Sequence, residues 1–181
     1  MASISTNEWY TICSELNKEK APSITEISYD LIKKAGVDMN NLMRELINEI
    51  FYQQILPNDW LKAQIFPIPK PTDWCGDISN TRPITLLECP RKIMFKILNN
   101  RLANILVQNE YILGHNNFAA LPGKSTNEPI HTINCILEDA RDNKKELWLL
   151  FQDMSKAYDH VNRQFLYKAL QRICIPDTLV Y

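Results

Sequence analysis

The stretch 147–162, LWLLFQDMSKAYDHVN, runs apolar to Phe151 and then stops on a charge. Asp153 closes the run, and a second carboxylate, Asp159, follows an aromatic residue six positions later. An unpaired carboxylate is costly to bury. Asp153 therefore either caps the turn that follows or binds a hard divalent cation, since Mg²⁺ takes carboxylate oxygens together with substrate phosphate. Two cations stand at comparable places: Lys70 ends the strand-like run LKAQIFPIPKP, and Arg82 opens the β-rich run around PITLL. A guanidinium fork and an ammonium point charge suit phosphate oxygens; the alternative is a pair of solvated loop charges. LPGKST at 121–126 invites comparison with a phosphate-binding loop, but that pattern needs glycine five residues before Gly123, where Phe118 stands. Lys124 and Ser125 remain either as phosphate contacts or as part of a capped loop. His115, His131 and His160 show no ligand spacing.

The elements that must carry these residues follow from periodicity. NNLMRELINEIFYQQIL places Leu42, Leu46, Ile47, Ile50 and Phe51 on one helical face. The run 61–71 predicts an edge strand, because Pro67 and Pro69 cannot donate to a ladder. A helix is expected over 90–106 with Pro90 in its first turn, another over 128–143 with Ile130, Ile133, Leu137 and Ala140 at helical spacing, and a last one after Asn162 as N-cap. ELWLLFQDM reads as a strand between the last two helices. Within the helix around 91–106, Arg101 falls in the middle of the apolar face of Ile93, Met94, Ile97, Leu98, Leu102 and Ile105, so it should be buried and paired. Asp159 and Glu88 are its first candidate partners. Lys92, Lys96 and Asn99 form the opposite stripe, either a solvated face or a nucleic-acid contact. Helices first, then mixed strands and helices, argue an α+β fold.

Composition narrows the class. The 181 residues carry a formal net charge of −1, so nothing global advertises a polyanion binder. The charge is uneven: residues 1–60 are net −4 and residues 61–130 net +3, which puts any nucleic-acid site in the middle third. Cys13, Cys75, Cys89, Cys135 and Cys174 are odd in number and scattered, without CxxC spacing. The start, MASISTNEWY, has no signal-peptide order, and no apolar run approaches membrane-spanning length. An intracellular, non-membrane protein is expected.

FQDMSKAYDHVN resembles motif A of reverse transcriptases, and its AYD ending resembles the non-LTR, LINE-type retrotransposon branch. NKEKAPSITEISYDLIKKAG is similar to the segment that family writes K-A-P-G-x-D-G, with Ser23 to Glu26 in place of its usual glycines. PNDWLKAQIFPIPKP and NTRPITLLECPRKIMFKILNNRL are similar to its fingers blocks, and NFAALPGKST stands where it has a G-F-x-x-G-R-S-T-like block. The likeness covers residues 15 to 176. It implies fingers and the beginning of the palm of a right-hand polymerase: a helical segment over 1–60, fingers over 61–126, and the start of the palm over 127–181. It implies Asp153 as catalytic metal ligand, Lys70 and Arg82 on the incoming triphosphate, and Tyr158 against the sugar. Lys124 and Ser125 fall to the template, and Asp159 to a structural role. The implied cofactor is Mg²⁺, and the implied partners are an RNA template, a DNA primer and deoxynucleoside triphosphates.

Two-metal phosphoryl transfer needs more carboxylates than Asp153. The family takes them from a later hairpin with an F/Y-x-D-D sequence, and no adjacent Asp-Asp occurs in this chain. The expectation is a reverse transcriptase fragment, inactive by itself; the alternative is a non-catalytic RNA-binding or interaction module that keeps the fingers fold.

Overall fold

The computed structural model describes residues 2–71, 75–112, 116–119 and 121–177. His115 and parts of the two long loops lie outside the described residues. The chain forms two compact units, Met1–Arg101 and Leu102–Tyr181.

The first unit begins with helix α1 (Thr6–Ser14), whose N-cap Ser5 accepts from the Glu8 amide. Helix α2 (Tyr29–Lys34) follows, capped in the same way by Ser28, and then α3 (Val37–Gln53). Neither α1 nor α2 is foreseen from the sequence. Asn40 of α3 ties the three together. Its buried amide oxygen takes the Trp9 indole N–H at 3.0 Å, and its amide nitrogen donates to the carbonyls of Ala35 and Gly36 at the end of α2.

The apolar face of α3 is rotated from the expected one. Ile47 and Ile50 are buried with Phe51 and Met43 packed beside them, whereas Leu42 and Leu46 are exposed. The five expected residues span about half the helix circumference at 100° per residue, wider than one face can bury. Packing selects the half that contains Asn40 and Ile47.

A 3₁₀ turn (Asn58–Leu61) leads into strand β1 (Gln64–Pro69), which pairs antiparallel with β2 (Thr81–Leu86) in register Gln64↔Leu86 through Pro69↔Thr81. Both strands are edges, which is why Pro67, Pro69 and Pro83 are tolerated. Helix α4 (Cys89–Gln108) then returns to the core through Cys89, Ile93, Met94 and Ile97. Burial pushes the Cys13 thiol up to about 11 and the Tyr29 phenol up to about 12, and it raises Cys89 as well.

The second unit holds the end of α4, helix α5 (Asn127–Asp142) and helix α6 (Arg163–Arg172). Asn162 caps α6 as predicted, accepting from the amides of Gln164 and Phe165. Ile133 and Ala140 of α5 are half-buried, while Ile130 and Leu137 are exposed. The strand expected over 146–154 is not formed; that segment has no regular structure and is exposed throughout. A strand exists only with a ladder partner, and among the described residues the two strands present pair with each other. Among the described residues the chain is thus helix-rich with one two-stranded sheet. The division at Arg101 follows the packing and falls inside α4, within the motif-based segment 61–126. Among the described residues no helix is long and apolar enough to cross a membrane.

Candidate active site

Lys70 and Arg82 are brought together by strand register. Ile68 faces Arg82 across the ladder, and the Lys70 amide donates to the Asn80 carbonyl at 2.9 Å, which extends the pairing by one residue. Cross-strand partners share a sheet face, and residues two apart on one strand share it too. Lys70 and Arg82 are therefore diagonal neighbours on one face of the hairpin, with Ile68 and Ile84. Both are exposed. Lys70 Nζ lies 3.4 Å from the Ser79 carbonyl, and Arg82 has no ion-pair partner among the described residues. Lys70 keeps two of its three ammonium donors, and Arg82 its guanidinium fork, on a solvent-facing strand pair where an anion can reach them.

Asp153 sits in the second unit, in the segment without regular structure before a turn, not at the end of a strand. It is exposed, outside any packed core. The turn after it is closed by the Asp159 and His160 amides, which donate to the Lys156 carbonyl at 3.0 and 3.2 Å. Lys156 takes a left-handed conformation there, with φ 49°. This places Tyr158 almost wholly in solvent, at 96% exposure. Asp159 does not cap the helix that follows: that is done by Asn162, and Asp159 enters the turn through its amide.

Ser125 starts α5. Its hydroxyl accepts from the Asn127 amide at 3.2 Å, and Glu128 reaches back to accept from the Ser125 amide at 3.3 Å. This reciprocal pair resembles a capping box set one position before the N-cap, so the polar groups of Ser125 serve the start of the helix. Lys124 lies over the Phe118 ring at 5.9 Å, where a cation is favoured without being neutralised.

Lys92 and Lys96 do not form an open stripe. Lys92 Nζ donates to the Ala21 carbonyl at 3.3 Å and lies over the Tyr29 ring, and Lys96 Nζ pairs with Glu15 at 2.8 Å. Both are held against the segments around α1 and α2. Arg101 is paired as predicted, but with neither expected partner. Its Nε and Nη2 hold both carboxylate oxygens of Glu8, at 2.8 and 2.6 Å, and its Nη1 donates to the Ala2 carbonyl at 2.7 Å.

Glu88 turns out to be the functional-looking residue that motif reading passes over. It is 2% exposed. Its Oε1 accepts from the Thr25 amide at 3.3 Å, and its Oε2 from the Thr25 hydroxyl. Its own carbonyl takes the first amide bond of α4, from Lys92 at 2.9 Å, so the carboxylate lies at the helix N-terminus, where negative charge is stabilised. One signal was available: Glu88 is the single charge in the apolar run PITLLECP.

As for a divalent ion, Asp153 offers one carboxylate, and among the described residues no three His, Cys, Asp or Glu side chains converge. Mg²⁺ needs about six oxygens in near-octahedral array. The described residues do not by themselves make that site.

With hairpin, turn and capped loop in place, the comparison with known families is decisive: residues 68–181 match the reverse transcriptase (RNA-dependent DNA polymerase) family, and the chain belongs to it. Its relatives come from mobile elements. It is 29% identical over 143 residues to a probable RNA-directed DNA polymerase from transposon BS of Drosophila melanogaster, covering 79% of this chain and 16% of that one. It is 26% identical to an uncharacterized 149 kDa protein of transposon TX1 of Xenopus laevis, covering 84% of this chain and 11% of the relative. A third relative is the retrovirus-related Pol polyprotein of the type-1 retrotransposable element R2 of Popillia japonica, at 24% identity over 88% of this chain and 21% of that protein. The chain spans about a fifth or less of the length of each.

Proposed function

We propose that this chain is the fingers and first palm portion of a non-LTR retrotransposon reverse transcriptase, and that its hairpin binds the triphosphate of the incoming deoxynucleotide. The observation that carries the reading is the placement of Lys70 and Arg82 on one exposed face of β1–β2, inside the matched region 68–181. Lys70 supplies a movable point charge and Arg82 a planar fork, a pairing suited to adjacent phosphoryl groups. To Tyr158, whose ring is exposed, we assign the sugar-selecting role that the family resemblance implies, in which a ring leaves no room for a 2′-hydroxyl. Lys124 contacts the template backbone. Asp153 is the family's carboxylate position, and with no second carboxylate beside it among the described residues, the 181 residues alone do not extend a primer.

The test is titration of a fluorescent deoxynucleoside triphosphate into the purified chain, beside K70A and R82A. Each substitution is expected to weaken binding by about three- to tenfold, the scale of one exposed charge-assisted bond. Binding indifferent to both substitutions overturns the assignment. Primer extension on an RNA template by this chain, abolished by D153A, overturns the inactivity. A second reading, a non-catalytic RNA-binding module, is favoured by the isolation of Asp153. It requires RNA binding that depends on Lys124 and is indifferent to triphosphate.

A further inference from the structure

The hairpin that carries Lys70 and Arg82 buries no side chain among the described residues: 61–71 and 82–85 are exposed, and the ends of β2, Thr81 and Leu86, are half-buried. Nothing along the strands fixes their direction, so whatever fixes it acts at the root. On the β1 side, Trp60 is buried and its carbonyl accepts from Arg91 Nη1. On the β2 side, the Leu86 carbonyl, at the last residue of the strand, accepts from the Ser23 hydroxyl at 3.1 Å. Two residues further, Glu88 takes both donors of Thr25, and one helical turn on Lys92 reaches the Ala21 carbonyl. The segment 21–25 is thereby stitched to residues 86–92 at three points.

These contacts are not equivalent. Ser23 and Lys92 meet neutral carbonyls. Glu88 is a carboxylate at 2% exposure with no ion-pair partner among the described residues. A buried charge demands its bonds, because losing one leaves the full desolvation cost uncompensated. A leucine or methionine would fill the same space without that cost, so the carboxylate has to be explained by what it holds. It holds Thr25, 63 residues away in sequence, and so fixes the direction in which β2 leaves the body of the first unit.

We infer that Glu88 and Thr25 are positioning residues for nucleotide binding: their contact sets the direction of the β1–β2 hairpin and, through it, the place of Lys70 and Arg82. The inference rests on the reading that these two cations hold a triphosphate, and its first measurement is independent of that reading. Spin labels go on the native Cys75, which is exposed in the connection between the strands, and on Y52C at the exposed end of α3, with C135S and C174S removing the other exposed thiols. Both labelled sites lie in the first unit. The unsubstituted hairpin gives one narrow distance distribution. T25V, which keeps the shape and removes the hydroxyl donor, broadens it, and T25S restores it, while the thermal melt of all three remains a single transition. The fluorescent triphosphate titration then shows T25V weakened by about threefold or more, on the scale of one hydrogen bond to a charged group, with T25S at the parent value.

An unchanged distance distribution in T25V overturns the inference, as does a broadened one that leaves triphosphate affinity untouched in a chain where K70A and R82A do weaken it. If the distribution broadens but the parent chain binds no triphosphate, the positioning contact stands and the triphosphate reading falls. E88A serves as a second variant: if it fails to fold, T25V still decides, because it leaves the carboxylate in place.

Discussion

Arg101 grips Glu8 at two points, Nε to Oε1 at 2.8 Å and Nη2 to Oε2 at 2.6 Å, and directs its remaining donors to the carbonyls of Ala2 and Ser3. One guanidinium near the middle of the longest helix thus fastens both the first turn of α1 and the residues before it. The same N-terminal segment is held from α3, where Asn48 accepts from the Ile4 amide at 2.6 Å and Arg44 donates to the Ile4 carbonyl at 3.0 Å.

Removing Arg101 therefore strips more than an ion pair. R101A leaves Glu8 without its fork and two carbonyls without donors at a half-buried site. The expected loss is about 2–3 kcal/mol of unfolding free energy, between the values for exposed and for fully buried pairs. Urea denaturation followed by tryptophan fluorescence measures it, since Trp9 sits beside the segment. A change below about 0.5 kcal/mol, the scale of an ordinary surface substitution, contradicts the pairing.

The pair also has a pH signature. The hydrogen bond from Arg101 holds the Glu8 carboxyl below its ordinary value, against a smaller opposing effect of burial. A depressed folded-state value adds stability above the unfolded value and loses it as pH falls through the folded one. E8Q should be less stable than the parent near neutrality, and the gap should close as pH drops below about 4, where the unfolded carboxyl titrates. A gap independent of pH between about 3 and 7 would mean that Glu8 acts through shape alone.

Glu26 occupies a left-handed position, φ 59°, in a turn closed by its amide to the Ser23 carbonyl at 3.0 Å. A side chain in that region costs about 1 kcal/mol that glycine does not incur, partly offset by the greater freedom of glycine in the unfolded chain. E26G should raise the urea midpoint slightly, by a net of about 0.5 kcal/mol. The pattern K-A-P-G-x-D-G, which this segment resembles, ends in glycine at the same position. A destabilised E26G would show that the turn is held by contacts of the Glu26 side chain.

Ser125 and Lys124 adjoin in sequence and separate in function. S125A breaks the reciprocal pair with Asn127 and Glu128 at the start of α5 and should cost about 1 kcal/mol, read as reduced helicity by circular dichroism. K124A should leave helicity unchanged and lower the affinity of the chain for single-stranded RNA, with the slope against salt reduced by about 0.7 for each phosphate no longer neutralised. Equal effects of the two on RNA affinity would return Ser125 to the nucleic-acid interface.

Much of the architecture was legible where periodicity or local chemistry decided it. The helices that became α3 to α6, the edge character of β1 and the Asn162 cap all depend on neighbours within a few residues. Arg101 was legible as a paired charge, because its helical face is local, but Glu8 was not legible as its partner, because the two are 93 residues apart. The same holds for Glu88 and Thr25. The strand read at 146–154 shows the opposite error: an apolar run reports a preference for extension, and only a partner strand turns extension into a ladder. For the candidate site, the residue types at Lys70, Arg82, Tyr158 and Asp153 were readable. The engagement of Lys92 and Lys96 by their own fold was not, because each partner is set by packing; for Ser125 the capped loop stood as one of two readings, and its hydroxyl and amide enter such a cap.

The unpaired segment 145–154 has a colloidal consequence. Trp148, Leu150 and Phe151 are 89%, 93% and 75% exposed in a segment without regular structure, and the five residues LWLLF contain neither charge nor proline. Such a run is a template for strand pairing with a second copy and for a dry zipper between stacked copies. Lys144, Lys145 and Glu146 on one side and Asp153 on the other act as gatekeepers that make close stacking repulsive. Gatekeepers slow nucleation and do not abolish it, so the shelf life of a solution of this chain is set by its concentration and ionic strength before it is set by its melting temperature.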